Sequence, residues 1–325
     1  MPSSYLEKAR GLIRVESRAI ADLENRIDEN FKKAIELLYH ISGKVILTGV
    51  GKSGLIGRKI AETLSSTGTP SFFIHAYEAG HGDLGGVRKH DALIVISNSG
   101  ETSEIIYMIP YVKKLKIPVI GFIGKCDSSL SQKCDIVIDT SVKEEACPLG
   151  IVPTASSIVT LAMGDALAVA LMDKRKFKET DFAGLHPGGT LGKRLLTTVH
   201  DLMHTGDKIP LAYLKDTMKH VLFIMTKKGL GVVGILDEDE NLAGIITDGD
   251  LRRGLEQTKN FLIMSPKDIM TSHPKSINSA TLAIEALYQM EQYSVTNLFV
   301  YDGEKTGKPV GIIHIHDILR YGIMA

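Results

Sequence analysis

A chain of 325 residues, 44% hydrophobic and 23% charged, is long enough for two or three folded domains, and its formal net charge of zero gives no electrostatic reason to bind nucleic acid or an anionic membrane. Its three cysteines, Cys126, Cys134 and Cys147, are odd in number and lack CxxC spacing, which argues against a disulfide framework or a structural zinc and fits a reducing cytoplasm. The opening stretch, MPSSYLEKARGLIRVESRAI, mixes charges with apolar residues and lacks the uninterrupted apolar core of a signal peptide.

Residues 1–40 carry Leu12, Ile13, Ile20, Leu23, Ile27, Phe31, Ile35 and Leu38 at spacings near 3.6, which predicts one or two amphipathic helices packed on the next domain or on a second subunit. From 41 to 185 the texture is α/β. Strands are predicted at Val45–Thr48, Ser71–His75, Leu93–Ser97, Pro118–Ile123 and Ile136–Asp139, most of them unbroken Val/Ile-rich runs that must be buried on both faces, as in a parallel sheet between helical layers. Helices fit at Gly54–Ser66, Thr102–Leu115 and Val152–Met172. The last is almost long enough to span a bilayer, but Pro153, Ser156, Ser157 and Asp165 mark it as a buried core helix instead.

Residues 186–200 read as a linker carrying the loop HPGGTLGKRLL. Beyond it the chain repeats itself: DLM at Asp201 returns as DIM at Asp268, and GIITDGDL at Gly244 returns as GIIHIHDI at Gly311, both 67 residues on. Two segments at one offset indicate a duplicated unit, at 201–260 and 268–325. The pair resembles tandem CBS domains, which have a βαββα pattern and often bind adenosine nucleotides between the copies. That resemblance implies a hydroxyl and an Asp three residues later as the nucleotide grip. The first copy has Thr247 and Asp250, whereas the second has His314 with Asp317; assembly without a ligand is the other reading of the module.

Two strand-to-helix turns carry the chemistry. In KVILTGVGKSG a strand runs through a glycine-rich turn into a helix, and in DALIVISNSGETSEI a hydroxyl-rich turn does the same. Free N–H groups at such turns attract an anion such as phosphate. GVGKSG matches GxGxxG at Gly49, Gly51 and Gly54, but the next strand ends at His75 rather than at the acid that dinucleotide binding requires. It also fails as a Walker A loop, because Ile46 stands where the first glycine belongs. What remains is close backbone approach at Gly51 and Ser53, a mobile cation at Lys52, and the hydroxyls of Ser97, Ser99, Thr102 and Ser103 at the second turn. Ordinary capping, with Glu104 in a capping box, explains one or two of those groups and not all of them.

GVGKSG, TGTPSFF, EAGHGDLG, ISNSGET, ACPLG with VPTASS, and HPGGTLGKRL together resemble a sugar isomerase (SIS) domain. With the CBS pair, the chain resembles the D-arabinose 5-phosphate isomerase family from end to end. AYE at Ala76–Glu78 departs from it, because members commonly have a proline after the histidine. The resemblance implies a five-stranded parallel sheet in a three-layer flavodoxin/Rossmann-like domain and interconversion of D-ribulose 5-phosphate and D-arabinose 5-phosphate. The product would feed Kdo synthesis for lipopolysaccharide or capsule. It also implies no metal or organic cofactor, a cytoplasmic homotetramer with sites at subunit boundaries, and a nucleotide or a product such as CMP-Kdo as regulator on the CBS module.

Shifting a carbonyl between C1 and C2 needs a base that moves a carbon-bound proton through a cis-enediol and a group that steadies the enediolate oxygen. A carboxylate raised toward neutral pKa suits the first task, and a lysine or imidazole the second. The resemblance carries catalytic roles onto Lys52, Glu104, Glu145 and His186. Glu145 is assigned as the base with Glu104 as the alternative, His186 opens the furanose ring from across a subunit boundary, and Lys52 stabilises the oxyanion or the phosphate. His75, His81 and Asp83 are close enough in sequence to suggest zinc; the resemblance instead puts His81 in the pocket, as a point where zinc inhibits.

Overall fold

The Val/Ile-rich runs become five parallel strands in the order β2-β1-β3-β4-β5: β1 (Val45–Gly49), β2 (Ser71–Phe73), β3 (Ala92–Ser97), β4 (Val119–Ile123) and β5 (Ile136–Asp139). β1, β3 and β4 are buried at every position, as sheet strands covered on both faces must be. The computed structural model describes residues 5–324, and the chain divides into two compact units after Phe182.

In the first unit, α1 (Tyr5–Ala21), α2 (Glu29–His40), α3 (Lys52–Ser66), α4 (Ala76–Ala79), α5 (Ser103–Lys114) and α6 (Ala155–Lys174) surround the sheet. Leu38 of α2, Ile60 and Leu64 of α3, and Val159, Met163 and Leu167 of α6 share one core with Val45, Leu47 and Ile94. Ala76 and Ala79 of α4 and Ile105, Met108 and Val112 of α5 cover the opposite face at Ile46, Leu93, Val95 and Val119. Among the described residues α6 is the one helix long and apolar enough to cross a membrane, yet half of that stretch is buried in this core. A Cβ on Gly164 would collide with the side chain of Ile60, so α3 and α6 cross as closely as a glycine permits.

The strand order reverses direction between β1 and β3. A crevice opens at the carboxyl ends of the strands at such a switch point, and this is where doubly wound sheets place their ligands. Both the glycine-rich turn after β1 and the hydroxyl-rich turn after β3 therefore flank one crevice.

A short helix, α7 (Glu179–Leu185), carries the chain into the second unit, which holds α8 (Thr190–Leu196), α9 (Val199–Leu202), β6 (His204–Thr205), β7 (Leu211–Tyr213), α10 (Met218–Lys228), β8 (Val232–Leu236), β9 (Leu242–Thr247) and α11 (Asp248–Gln257), then β10 (Thr271–Ser272), β11 (Ser276–Asn278), α12 (Ala283–Tyr293), β12 (Asn297–Tyr301), β13 (Gly311–His314) and α13 (Ile315–Tyr321). Its two four-stranded sheets run β10-β9-β8-β7 and β11-β12-β13-β6. Each copy thus lends its first short strand to the other's sheet, β6 pairing with β13 and β10 with β9. Ile209, Val232, Phe299 and Ile312 fill the seam between the copies. α8 belongs to this unit, with Lys193 Nζ donating to the carbonyl of Tyr321 at 2.9 Å and Arg194 to the hydroxyl of Tyr288 at 2.9 Å.

Candidate active site

The turn after β1 is built by its glycines. Gly51 caps α3 at φ +59 and ψ −129, a conformation open in practice only to glycine. A Cβ on Gly49 would stand 2.9 Å from the backbone of Ser53 and Gly54, and one on Gly54 would stand 2.8 Å from the carbonyl of Gly49. Strand and helix therefore meet at backbone contact, and Lys52 and Ser53 open the helix at the crevice. Lys52 is exposed and has no hydrogen-bond or ion-pair partner among the described residues.

The second turn differs from the hydroxyl cradle expected of it. Ser97 is 2% exposed; its hydroxyl accepts the N–H of Gly100 at 3.0 Å and bonds the hydroxyl of Thr102 at 2.8 Å. Ser99 accepts the N–H of Glu101 at 3.2 Å. Three of the hydroxyls, those of Ser97, Ser99 and Thr102, therefore hold the turn's own shape, and Gly100 (φ +66) sits where a Cβ would strike Ser128. The capping box is also absent: Thr102, the N-cap of α5, makes no side-chain cap bond, and Glu104 accepts the hydroxyl of Ser103 at 3.1 Å.

A narrow cleft beside these turns is lined by Lys52, Ser53, Asn98, Ser156, Ser157 and Thr160, with Pro153 and Ile56 completing it. Asn98, Ser156, Ser157 and Thr160 were not expected in the site; Ser156 and Ser157 were read only as polar marks of a buried helix, although VPTASS contains both and precedes a helical run. Glu145 reaches the cleft's edge through the start of α6: its Oε2 accepts the N–H of Thr154 at 2.8 Å, the hydroxyl of Thr154 at 2.9 Å and the N–H of Ser156 at 3.3 Å. Burial pushes its carboxyl up, but the donors of Ser156 and Thr154 outweigh burial and hold it below the usual glutamate range. The raised carboxylate expected of the base is thus the reverse of what the site provides, because a helix N-terminus favours the anion.

His186 directly follows α7, half-buried, and its carbonyl accepts the N–H of Gly189 at 3.0 Å in a tight turn into α8. A Cβ on Gly192 would collide with that carbonyl, so HPGGTLG packs loop against helix. It lies in the second unit. His75 caps α4 by accepting the N–H of Tyr77 at its Nδ1, and the exposed His81 leans on the Tyr77 ring. His75, His81 and Asp83 do not gather, and no metal-ligating cluster of three exists among the described residues.

In the second unit a cavity of ≈ 480 Å³ lies between the CBS copies, with Thr247, Asp248, Lys275, Asn297, Phe299 and His314 on its wall. Asp250 and Asp317, expected to grip a nucleotide, are not on it. Asp250 is buried in a capping box, its Oδ2 accepting the N–H of Thr247 at 2.8 Å and the Thr247 hydroxyl at 2.7 Å, and it also pairs with Arg253. Asp317 bonds Nε2 of His204 at 2.8 Å. Burial, with His316 nearby, pushes His314 below the usual histidine range.

The SIS domain family matches residues 37–170, and the CBS domain family matches 199–257 and 267–323. Arabinose 5-phosphate isomerase KdsD of Pseudomonas aeruginosa is 45% identical over 98% of both chains. KdsD of Escherichia coli K12 is 44% identical over 98% of this chain and 97% of its own. Among solved structures, a protein of E. coli CFT073 in complex with arabinose 5-phosphate superposes with a TM-score of 0.56 at 43% identity, covering 57% of this chain and all of that one. Near-complete coverage at such identity, on a fold that puts both turns at one crevice, makes this chain a member of the arabinose 5-phosphate isomerase family, with an SIS domain and a CBS pair.

Proposed function

We propose that this protein interconverts D-ribulose 5-phosphate and D-arabinose 5-phosphate through a cis-enediol and so supplies Kdo synthesis. The observation that carries the reading is the carboxylate of Glu145, held on the N-terminus of α6 one hydrogen bond from a cleft that also presents Lys52. Glu145 takes the proton from the sugar carbon and returns it to the neighbouring carbon. A carboxylate held below its usual range is a weak base, so much of the barrier must fall to Lys52, whose charge steadies the enediolate or the adjacent phosphate. Ser53 and the turn after Gly51 receive the phosphate, Ser99 and Thr102 donate to it the hydroxyl protons that the turn's own bonds leave free, and Glu104 is the second candidate for the base. His186 opens the furanose from a neighbouring subunit. Self-association is supported by α1, whose Leu6, Ile13 and Ile20 recur every seven residues and are 66%, 59% and 41% exposed; a homotetramer in the cytoplasm is the assembly proposed. The CBS cavity would take a regulatory nucleotide or a nucleotide-linked product.

The test is proton exchange followed by NMR, with D-ribulose 5-phosphate in heavy water and chelator-treated protein. Deuterium at C2 of newly formed arabinose 5-phosphate is expected. Binding without exchange or conversion would make the protein a sensor, and activity returning only with added zinc would redirect attention to His81.

A further inference from the structure

Three donors converge on one carboxylate oxygen of Glu145. The hydrogen bonds from the N–H and hydroxyl of Thr154 and from the N–H of Ser156 all end on Oε2, and the side chain of Ser156 also helps hold the carboxylate charged. Two of the three come from Thr154, the N-cap of the 20-residue helix α6. Thr154 has a further bond: its hydroxyl oxygen accepts the N–H of Ala146 at 2.9 Å. Because that amide can only donate, the single hydroxyl proton of Thr154 is left for the carboxylate, and the direction of the bond is fixed. The residue thus ties both sides of the 145–154 loop together and orients the carboxylate plane. An N-cap threonine would ordinarily use its hydroxyl to accept an N–H of its own helix, and here no such side-chain bond is made. Helix capping is done instead by the glutamate, and the threonine serves the glutamate.

We propose that Thr154 is the positioning residue for the base of this isomerase, clamping Oε2 of Glu145 so that Oε1 faces the cleft and exchanges the substrate proton. The inference rests on the reading of Glu145 as that base. Losing a hydrogen bond to a charged group costs more than losing a neutral one, and a base displaced by a fraction of an ångström loses turnover while substrate still binds.

The experiment compares Thr154→Val, Thr154→Ser and Glu145→Gln, and the Glu145→Gln/Thr154→Val double variant, with D-ribulose 5-phosphate as substrate. T154V is expected to lower kcat about tenfold or more with KM held within about threefold. The acidic limb of its kcat/KM profile should move to higher pH, since a donor to the anion is gone. T154S, which keeps the hydroxyl, should restore both, and T154V should cost nothing further in the E145Q background. Circular dichroism reports folding; should T154V not fold, Thr154→Ala removes the same hydroxyl without apolar bulk and is judged by the same criteria. An unmoved acidic limb, an equal loss in the E145Q background, or T154S as impaired as T154V would overturn the proposal. Near-normal turnover by E145Q alone would overturn it together with the assignment of the base, an outcome visible without any Thr154 variant.

Discussion

Glu145 has a structural role alongside the base role proposed for it. Its charge completes the N-terminus of α6, so the anion contributes to folding and is also the state a base requires. Glu145→Gln should lower kcat by roughly 10²–10⁴-fold with KM largely kept, because a neutral amide can accept the same N–H bonds but cannot take a proton from carbon. Near-normal kcat would transfer the role to Glu104. Stability should also respond. A carboxyl held lower in the folded state contributes stability above its unfolded pKa, and that contribution is lost as pH falls through the folded value. Thermal melts from neutral to acidic pH should therefore fall less steeply for E145Q than for the parent. Residue types were legible here and states were not: the family resemblance put a role on Glu145, but its lowered pKa depends on donors of Thr154 and Ser156 brought back to it by the fold. Ser97 had the right residue type in the right turn, yet its hydroxyl is spent on Gly100 and Thr102.

At the scale of elements, strands and helices could be read because burial on both faces writes itself as unbroken apolar runs, and β1, β3 and β4 follow those runs closely. The exchange of β6 and β10 between the CBS copies could not: two-residue strands carry no periodicity, and their partners are set by the packing of the whole module. The same limit applies to Thr247 and Asp250. Their spacing fits a nucleotide grip and a capping box equally well, and only the buried bonds between them tell the two apart. Asp250→Ala should cost about 1–2 kcal/mol of stability in the second unit, measured by denaturant unfolding. Asp248→Ala, which alters the cavity wall and not the cap, should leave stability near the parent's while weakening the binding of adenosine monophosphate in calorimetry. Lost stability with Asp248→Ala and none with Asp250→Ala would reverse these assignments.

At the scale of the whole molecule, Lys52 and Glu145 fall in the first unit and His186 in the second, and the proposal that His186 acts from a neighbouring subunit has a direct test. An N-terminal helix that packs on α6 through residues such as Ala19, yet exposes Ile13 and Ile20 one heptad apart, offers those two side chains to another copy of the chain. If subunits share sites in this way, damage to Glu145 and damage to His186 fall in different sites whenever they lie on different chains. Glu145→Gln and His186→Ala, each nearly inactive alone, should therefore regain a substantial fraction of parental turnover when co-expressed and purified as mixed oligomers, since some sites then combine an intact Glu145 with an intact His186. Oligomers formed separately and mixed without subunit exchange should stay inactive. If co-expression restores nothing although mass spectrometry shows mixed oligomers, His186 works within its own chain. The exposed face of α1 would then serve assembly without contributing to the chemistry.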